Sequence, residues 1–381
     1  TFTNKAAKEM RERIEKIVGI KARDLWMGTF HSIFSRILRA ESDKIGFPYN
    51  FTIYDTSDAK NLLKSIIKEL NLDDKIYKPN VVYNRISAAK NNLISAKAYN
   101  SDSAILNEDK IMAKPEIGAI YSMYSKRCTK AAAMDFDDLL FLTYKLFKLF
   151  PETLLKYQNL FKYLLVDEYQ DTNYAQYVIV KMLAKKNQNI CVVGDDAQSI
   201  YSFRGANIEN ILNFKKDYLS AGTFKLEQNY RSTKNILETA SSLISNNSSR
   251  VGKKLWSSAN QGELVKLNCY RTGKEEAQGI SDIIEQKIKK KYSLNDVSIL
   301  VRAIYQTREF EERFLQVGIG YRVLGGIKFY ERAEIKDAVS YLRIINQKFD
   351  DLALERIIGV PKRGVGESSI NQIYTFGKAN K

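Results

Sequence analysis

Residues 163–196 read YLLVDEYQDTNYAQYVIVKMLAKKNQNICVVGDD, and the fold is decided in this stretch. It holds two short apolar runs, Tyr163-Leu164-Leu165-Val166 and Ile190-Cys191-Val192-Val193, each followed directly or within two residues by aspartate. Between them, Tyr174 to Leu183 carries apolar residues at helical spacing. Asp195 follows Asp167 by 28 positions (195 − 167), close to the ~30 residues of a strand–helix–strand unit. Unbroken apolar runs of this length predict strands buried on both faces of a parallel sheet. Ligands bind such sheets beyond the carboxyl ends of the strands, which is where Asp167-Glu168 and Asp195 fall.

Working outward, residues 3–18 predict an amphipathic helix capped by Thr3 or Asn4, with Ala7, Met10, Ile14, Ile17 and Val18 on its apolar side. A second periodic stretch runs from Ile33 to Leu38, and residues 39–160 are helical in pattern almost throughout. Ser57 precedes one apolar face made of Leu62, Leu63, Ile66, Ile67 and Leu70, while Gly46, Pro48, Pro79, Pro115 and Gly118 punctuate the region. This part reads as a helical insertion. Beyond Asn229, helices are expected near Asn235–Ile244, Glu275–Lys287 and Thr307–Val317. Strands are expected at Leu264–Leu267, Val297–Val301 and Tyr321–Leu324, which makes a second α/β domain. From about Glu334 the pattern is helical again.

The chain of 381 residues is long enough for two or three domains, and 44% hydrophobic with 27% charged residues excludes wholesale disorder. A net charge of +16 and a pI near 9.4 favour a polyanionic partner, although a basic surface also serves solubility. Cys128, Cys191 and Cys269 lie far apart, which argues against a disulfide framework or zinc site and fits a reducing, cytoplasmic compartment. The single histidine, His31, excludes mechanisms that need several. No stretch approaches the ~18 apolar residues of a membrane span, and the first residues do not form a signal peptide. The chain opens on Thr1 rather than Met, so a longer natural protein is expected.

The candidate chemistry sits at the strand ends. One carboxylate of Asp167-Glu168 can hold a hard divalent cation such as Mg²⁺ while the other orients or deprotonates a water; the alternative is a solvated acidic turn. Gln198 can hydrogen-bond a terminal phosphate or be an ordinary loop glutamine. Tyr201 and Phe203 beside Arg204 are the ingredients of a stacking platform for single-stranded bases, or else packing under the sheet. Arg231, after Tyr230, can reach a phosphate in the manner of an arginine finger or make a surface ion pair. The Lys287–Lys291 run can meet phosphates, yet cations also suit a solvated helix end. A structural hydrogen bond is the default expectation for His31.

In order and spacing, TFTNKAAKEM (1–10), GTFHS (28–32), LLVDEYQDT (164–172), VVGDDAQSIYSFRGA (192–206) and LEQNYRS (226–232) resemble the successive motifs of superfamily 1A DNA helicases of the PcrA/UvrD/Rep group. ISAAKNNLI (86–94), MDFDDLL (134–140), YRVLGGIKFYERAEIKDAVSYLR (321–343) and VPKRGVG (360–366) add secondary matches, so the likeness spans essentially the whole chain. The resemblance implies an α/β fold of two RecA-like P-loop NTPase domains that clamp ATP, each carrying a helical insertion. Mapped here, domain 1A covers 1–31 and 161–229, 1B covers 32–160, 2A begins at 230 and runs to 333, and 2B begins at 334 and continues to 381. It implies that Asp167 supports Mg²⁺, Glu168 activates the hydrolytic water and Gln198 senses the γ-phosphate. Tyr230 then stacks on adenine and Arg231 touches the γ-phosphate. The implied DNA track comprises Phe2, Thr3, Asn4, Thr29, His31, Tyr201, Phe203 and Arg204.

The family's phosphate-binding loop, G-x-x-x-x-G-K-[ST], belongs ahead of the motif at residues 1–10, and its last motifs belong after residue 381. The expectation is therefore a fragment without ATPase activity, cut from an ATP-dependent helicase. That helicase would move 3′ to 5′ on single-stranded DNA and act at single-strand/duplex junctions in repair or replication. Two alternatives stay open: a helicase–nuclease motor of the AddA or RecB type, and a non-catalytic nucleic-acid-binding module. Phe203 stands where the group usually carries tryptophan, and Ala197 replaces a common acidic residue.

Overall fold

The structure, a computed structural model, describes residues 1–247, 252–324, 332–366, 368–370, 372–373 and 376. The chain divides into two compact units, one of residues 1–226, 247–253 and 339–381, the other of residues 227–246 and 254–338.

In the first unit the helix Asn4–Val18 starts where Thr3 accepts the Ala6 N–H on its hydroxyl. Its apolar stripe is as the spacing predicts, but Ile17 and Val18 are exposed and the helix buries no residue. The helix Phe30–Ala40 begins the same way, with the Thr29 hydroxyl accepting from Ser32 N–H, and buries Phe34, Ile37 and Leu38.

The helices Thr56–Glu69, Pro79–Asn91 and Ile117–Lys130 bury Leu63, Ile66, Val82, Ile86, Ile120 and Tyr124 in one core. The helix Phe136–Leu149 packs Leu139, Leu140 and Phe147 with Phe34, Ile37 and Leu38 in another. The helix Thr56–Glu69 opens on a reciprocal capping box between Asp55 and Asp58, and Ser57, in its first turn, donates to Asp55. A short parallel strand pair, Thr52–Tyr54 with Ala133–Asp135, was not expected, because three residues are too few to show a period.

Beside that pair lies a buried ionic cluster. Lys90 Nζ is 2.7 Å from Asp135 and 2.8 Å from Asp138, and Tyr124 donates to Asp135 at 2.7 Å. Three carboxylates face one lysine. Burial, and then the Asp135 charge, pushes Asp137 up to about 6 and Asp138 up to about 7. Burial acts on Asp135 in the same direction, but the Lys90 ammonium outweighs it and holds that carboxyl below its ordinary value. Arg343 pairs with Asp58 at 3.0 Å and Asp350 at 2.9 Å, and Tyr54 donates to Asp350, so the chain after residue 339 is tied to this helical region.

The strand–helix–strand unit forms as expected. Leu164–Val166 pairs in parallel with Ile190–Val192, with Leu164 opposite Ile190 and Val166 opposite Val192. The connecting helix Tyr174–Ala184 starts on a capping box between Asn173 and Gln176. Its Val180 packs against Val166 and Tyr169, while Ala175, Ile179 and Leu183 enter the core around Phe34 and Leu139. Burial on both faces is corrected: Leu165 is 78% exposed, and Cys191 is exposed with it. Neighbouring strand residues point to opposite faces, and among the described residues a helix covers only the Val166 face.

In the second unit the helices Lys234–Ile244, Gly273–Lys289 and Thr307–Val317 form close to their expected limits. Ala277, Ile284, Phe310, Phe314 and Ile319 make its core, joined by Ile299 and Val301. Among the described residues the strands expected at 264–267, 297–301 and 321–324 are not formed as ladders. Ile299 and Val301 face the helices while Leu300 is 93% exposed, so the alternation of a strand survives without a hydrogen-bonded neighbour. The Lys287–Lys291 run closes the Gly273–Lys289 helix. Within the 321–343 match, residues 325–331 lie outside the described residues.

Candidate functional site

The strand Leu164–Val166 delivers Asp167-Glu168 to the end of the parallel pair. Val193 N–H donates to Val166 O at 2.8 Å and Tyr169 N–H donates to Val193 O at 3.0 Å, so pairing brackets the acidic residues. Glu168 itself adopts φ +54° and ψ +42°, the left-handed region that a residue with a long side chain rarely occupies. Such backbone costs on the order of 1–3 kcal/mol and persists only where its surroundings determine it. Here the Asp171 N–H closes the turn onto Glu168 O at 3.0 Å.

Asp167 is half-buried, and the Thr1 hydroxyl donates to its Oδ2 at 3.5 Å. Glu168 accepts from the Gln170 amide at 2.7 Å. Gln170 is fully buried, and its Oε1 accepts the Asp195 N–H at 3.0 Å. Asp195 accepts in turn from Gln198 Nε2 at 2.8 Å and Ala197 N–H at 3.0 Å, and pairs with Lys253 at 2.5 Å. Burial would raise the Asp195 carboxyl, but the Lys253 and Gln198 hydrogen bonds outweigh it and hold the group below its ordinary value. Asp171 is pushed upward, first by burial and then by the Glu168 charge. Its Oδ1 has no hydrogen-bond partner among the described residues.

A few residues along the same loop the aromatic side chains gather. Phe2 stacks on Tyr201 with centroids 5.2 Å apart, Tyr201 lies 6.0 Å from Phe203, and the Arg204 guanidinium sits over both rings at 5.3 and 5.5 Å. Phe203 is 70% exposed, so it does not pack under the sheet. Thr3 and Asn4 begin the first helix and Thr29 precedes the second, and Gly28 O lies 3.2 Å from the Thr1 nitrogen, which brings the two helix starts together. His31 meets Phe136 edge-on at 5.9 Å, and burial lowers its pKa, so the ring is neutral at pH 7.

Glu168 and Gln198 thus share one hydrogen-bonded frame through Gln170 and Asp195, while Asp167 is held separately by the Thr1 hydroxyl; Phe2, Tyr201, Phe203 and Arg204 share one ring cluster. A single loop, 194–204, carries parts of both. Tyr230 and Arg231 belong to the second unit. There Tyr230 is exposed and donates to Gln228 at 2.6 Å, and the Arg231 N–H donates to Asn229 at 3.0 Å.

Sequence reasoning passed over Gln170, Lys253 and the pair Asn91–Asn173, whose amides meet at 2.7 Å and join the helix start after the acidic turn to the helix Pro79–Asn91. The signal for Gln170 was the polar run DEYQDTN directly after an apolar strand, since polar residues that fold back under it must find partners. Lys253 is distant in sequence from Asp195, and nothing local marks it.

A hard cation takes oxygen ligands, and the Asp167 carboxylate beside the Thr1 hydroxyl is a donor set of that kind. Among the described residues no three or more His, Cys, Asp or Glu side chains converge as a metal cage; Mg²⁺, which keeps most of its waters, does not require one.

Two family models match the chain in succession. Residues 1–219 match the UvrD/REP helicase N-terminal domain and residues 224–380 the UvrD-like helicase C-terminal domain. The chain belongs to the UvrD/Rep helicase family. Its similar relatives include the ATP-dependent DNA helicase PcrA of Staphylococcus aureus, 47% identical over 382 residues. The PcrA of Staphylococcus epidermidis is 46% identical over the same length. In both cases the whole of this chain is aligned with 51% of the relative, so it spans about half the length of the curated relatives it matches. Among the described residues no helix is long and apolar enough to cross a membrane.

Proposed function

We propose that this chain is part of an ATP-dependent DNA helicase in which ATP hydrolysis drives movement along single-stranded DNA, 3′ to 5′, into single-strand/duplex junctions during repair or replication. The architecture proposed with it is RecA-like, with residues 32–160 and the chain from 334 as helical insertions. One observation supports the reading most: the acidic turn at Glu168 and the loop bearing Gln198 and Tyr201 are joined through a single buried side chain.

The proposed roles follow from chemistry. Glu168, exposed enough to meet solvent, accepts the proton of an attacking water. Gln198, a neutral donor, follows the terminal phosphate of ATP, and Arg231 neutralises charge on that phosphate. Tyr230 offers an open ring face to a purine. Asp167 would hold Mg²⁺, which screens the phosphate charges when bound. On the DNA side Tyr201 and Phe203 present rings to bases, with Arg204 over both, and Phe2 backs Tyr201. The starts of the helices at Thr3-Asn4 and Thr29 aim backbone N–H groups toward phosphates, and His31 adds a neutral donor beside them. Because Gln198 and Tyr201 share one loop, a shift at the phosphate moves a ring on the DNA.

The test is ATP turnover by the full-length protein with and without single-stranded DNA, together with unwinding of duplexes carrying 3′ or 5′ tails. Stimulated turnover and preference for the 3′ tail are expected. Turnover indifferent to DNA would overturn the reading, and a 5′ preference would overturn its polarity.

A further inference from the structure

Gln170 is a side chain that touches both halves of the site. Its amide is 0% exposed and spans two loops, with Nε2 on Glu168 Oε2 at 2.7 Å and Oε1 on the Asp195 N–H at 3.0 Å. The partners determine which end is which, since a carboxylate only accepts and a backbone N–H only donates. Nε2 also lies 3.4 Å from Asp171 Oδ2, and the Ser199 hydroxyl lies 3.4 Å from Gln170 O, so the residue is held from both its side chain and its backbone. The facing loop makes room for it. A Cβ on Gly194 would stand 2.5 Å from Gln170 Oε1, 2.7 Å from Ile211 Cδ1 and 3.3 Å from Gln170 N, so a side chain there would displace the amide and crowd Ile211.

A fold that needed only a buried polar bridge could use water or backbone. This one places an uncharged two-ended group against the carboxylate of a strained turn, facing a glycine that a larger residue could replace only by shifting the amide.

Resting on the helicase reading above, we infer that Gln170 is a positioning residue for ATP hydrolysis: it aims the Glu168 carboxylate and ties that aim to the loop bearing Gln198 and Tyr201. Glutamine suits the task because it reaches a carboxylate and an N–H at once. Asparagine is one carbon too short to span the two, and glutamate would set a third carboxylate between Glu168 and Asp171.

The experiment uses the full-length protein with Gln170→Met, which keeps length and loses both hydrogen bonds, and with Gly194→Ala, which displaces the amide while leaving Gln170 in place. Steady-state turnover with saturating single-stranded DNA gives kcat and the KM for ATP. Fluorescence anisotropy on an oligonucleotide without nucleotide gives DNA affinity. Both variants are expected to lose at least tenfold in kcat while KM and DNA affinity stay within twofold. A purely structural role would instead lower the melting temperature and move all three quantities together, or leave kcat unchanged in Gly194→Ala; either result overturns the inference. Glu168→Gln serves as the control on the underlying reading. If that variant still hydrolyses ATP, the helicase assignment of the site falls and the inference with it. If it is dead while Gln170→Met and Gly194→Ala turn over normally, only the inference about Gln170 falls.

Discussion

Residues 52–160 and residues 254–324 are both rich in apolar side chains, yet the first region closes a core around Leu63, Ile66, Ile120 and Tyr124 while the second leaves Leu264, Leu267 and Leu300 largely in water. The difference lies in where each finds its hydrogen bonds. A helix satisfies its backbone internally, so a group of helices can close a core from local sequence alone. An extended segment must borrow its partners from a neighbour, and without a ladder its outward face stays open. The parallel pair 164–166 and 190–192 lies between these cases, paired along one edge and covered on one face.

The comparison can be broken most forcefully at the ionic cluster of the helical region. Lys90 stands among buried carboxylates, so Lys90→Ala leaves them without a counter-charge and should cost about 3–5 kcal/mol in urea unfolding. A cost below 1 kcal/mol would mean water enters the cluster. The hydrophobic contrast is sharpened by a pair of truncations. Ile66→Ala, fully buried, should cost about 3 kcal/mol, whereas Leu300→Ala should change stability by less than about 0.5 kcal/mol. Equal costs would show that Leu300 is covered after all.

A pH experiment probes the same cluster. Asp137 is raised to about 6, so the folded state holds its proton longer than the unfolded chain does. That contribution is fully present below about pH 4 and is lost as pH rises through about 6. Asp137→Asn should therefore gain stability relative to the parent across pH 4 to 7, and a difference independent of pH would remove the burial argument. The last effect is on binding: Tyr201→Ala should weaken single-strand affinity by about 1–3 kcal/mol, while unchanged affinity would return the ring to a packing role.

Much of this was legible in the sequence. The spacing of Asp167 and Asp195 anticipated the strand–helix–strand unit, and helical periodicity anticipated Thr307–Val317 to the residue. Both rest on local pattern. What stayed hidden was whatever depends on distant partners. Leu165 read as buried and 297–301 read as a paired strand because an apolar run reveals neither how many faces will be covered nor whether a neighbour will pair with it. The Asp195–Lys253 pair joins residues 58 positions apart, beyond any local signal (253 − 195). The left-handed backbone at Glu168 has no glycine to announce it, since it is imposed by the bonds around the turn. The grouping of Phe2 with Tyr201 could be named as a family role but not as a ring contact.

The central claim is that the acidic turn does chemistry rather than merely ending a strand. Glu168→Gln in the full-length protein, assayed for DNA-stimulated ATP turnover and for single-strand affinity in the same preparation, tests it most directly. Turnover should fall by about 10²–10⁴ with affinity retained, as removal of a general base requires. Turnover within a few-fold of the parent, with folding intact, would contradict the claim.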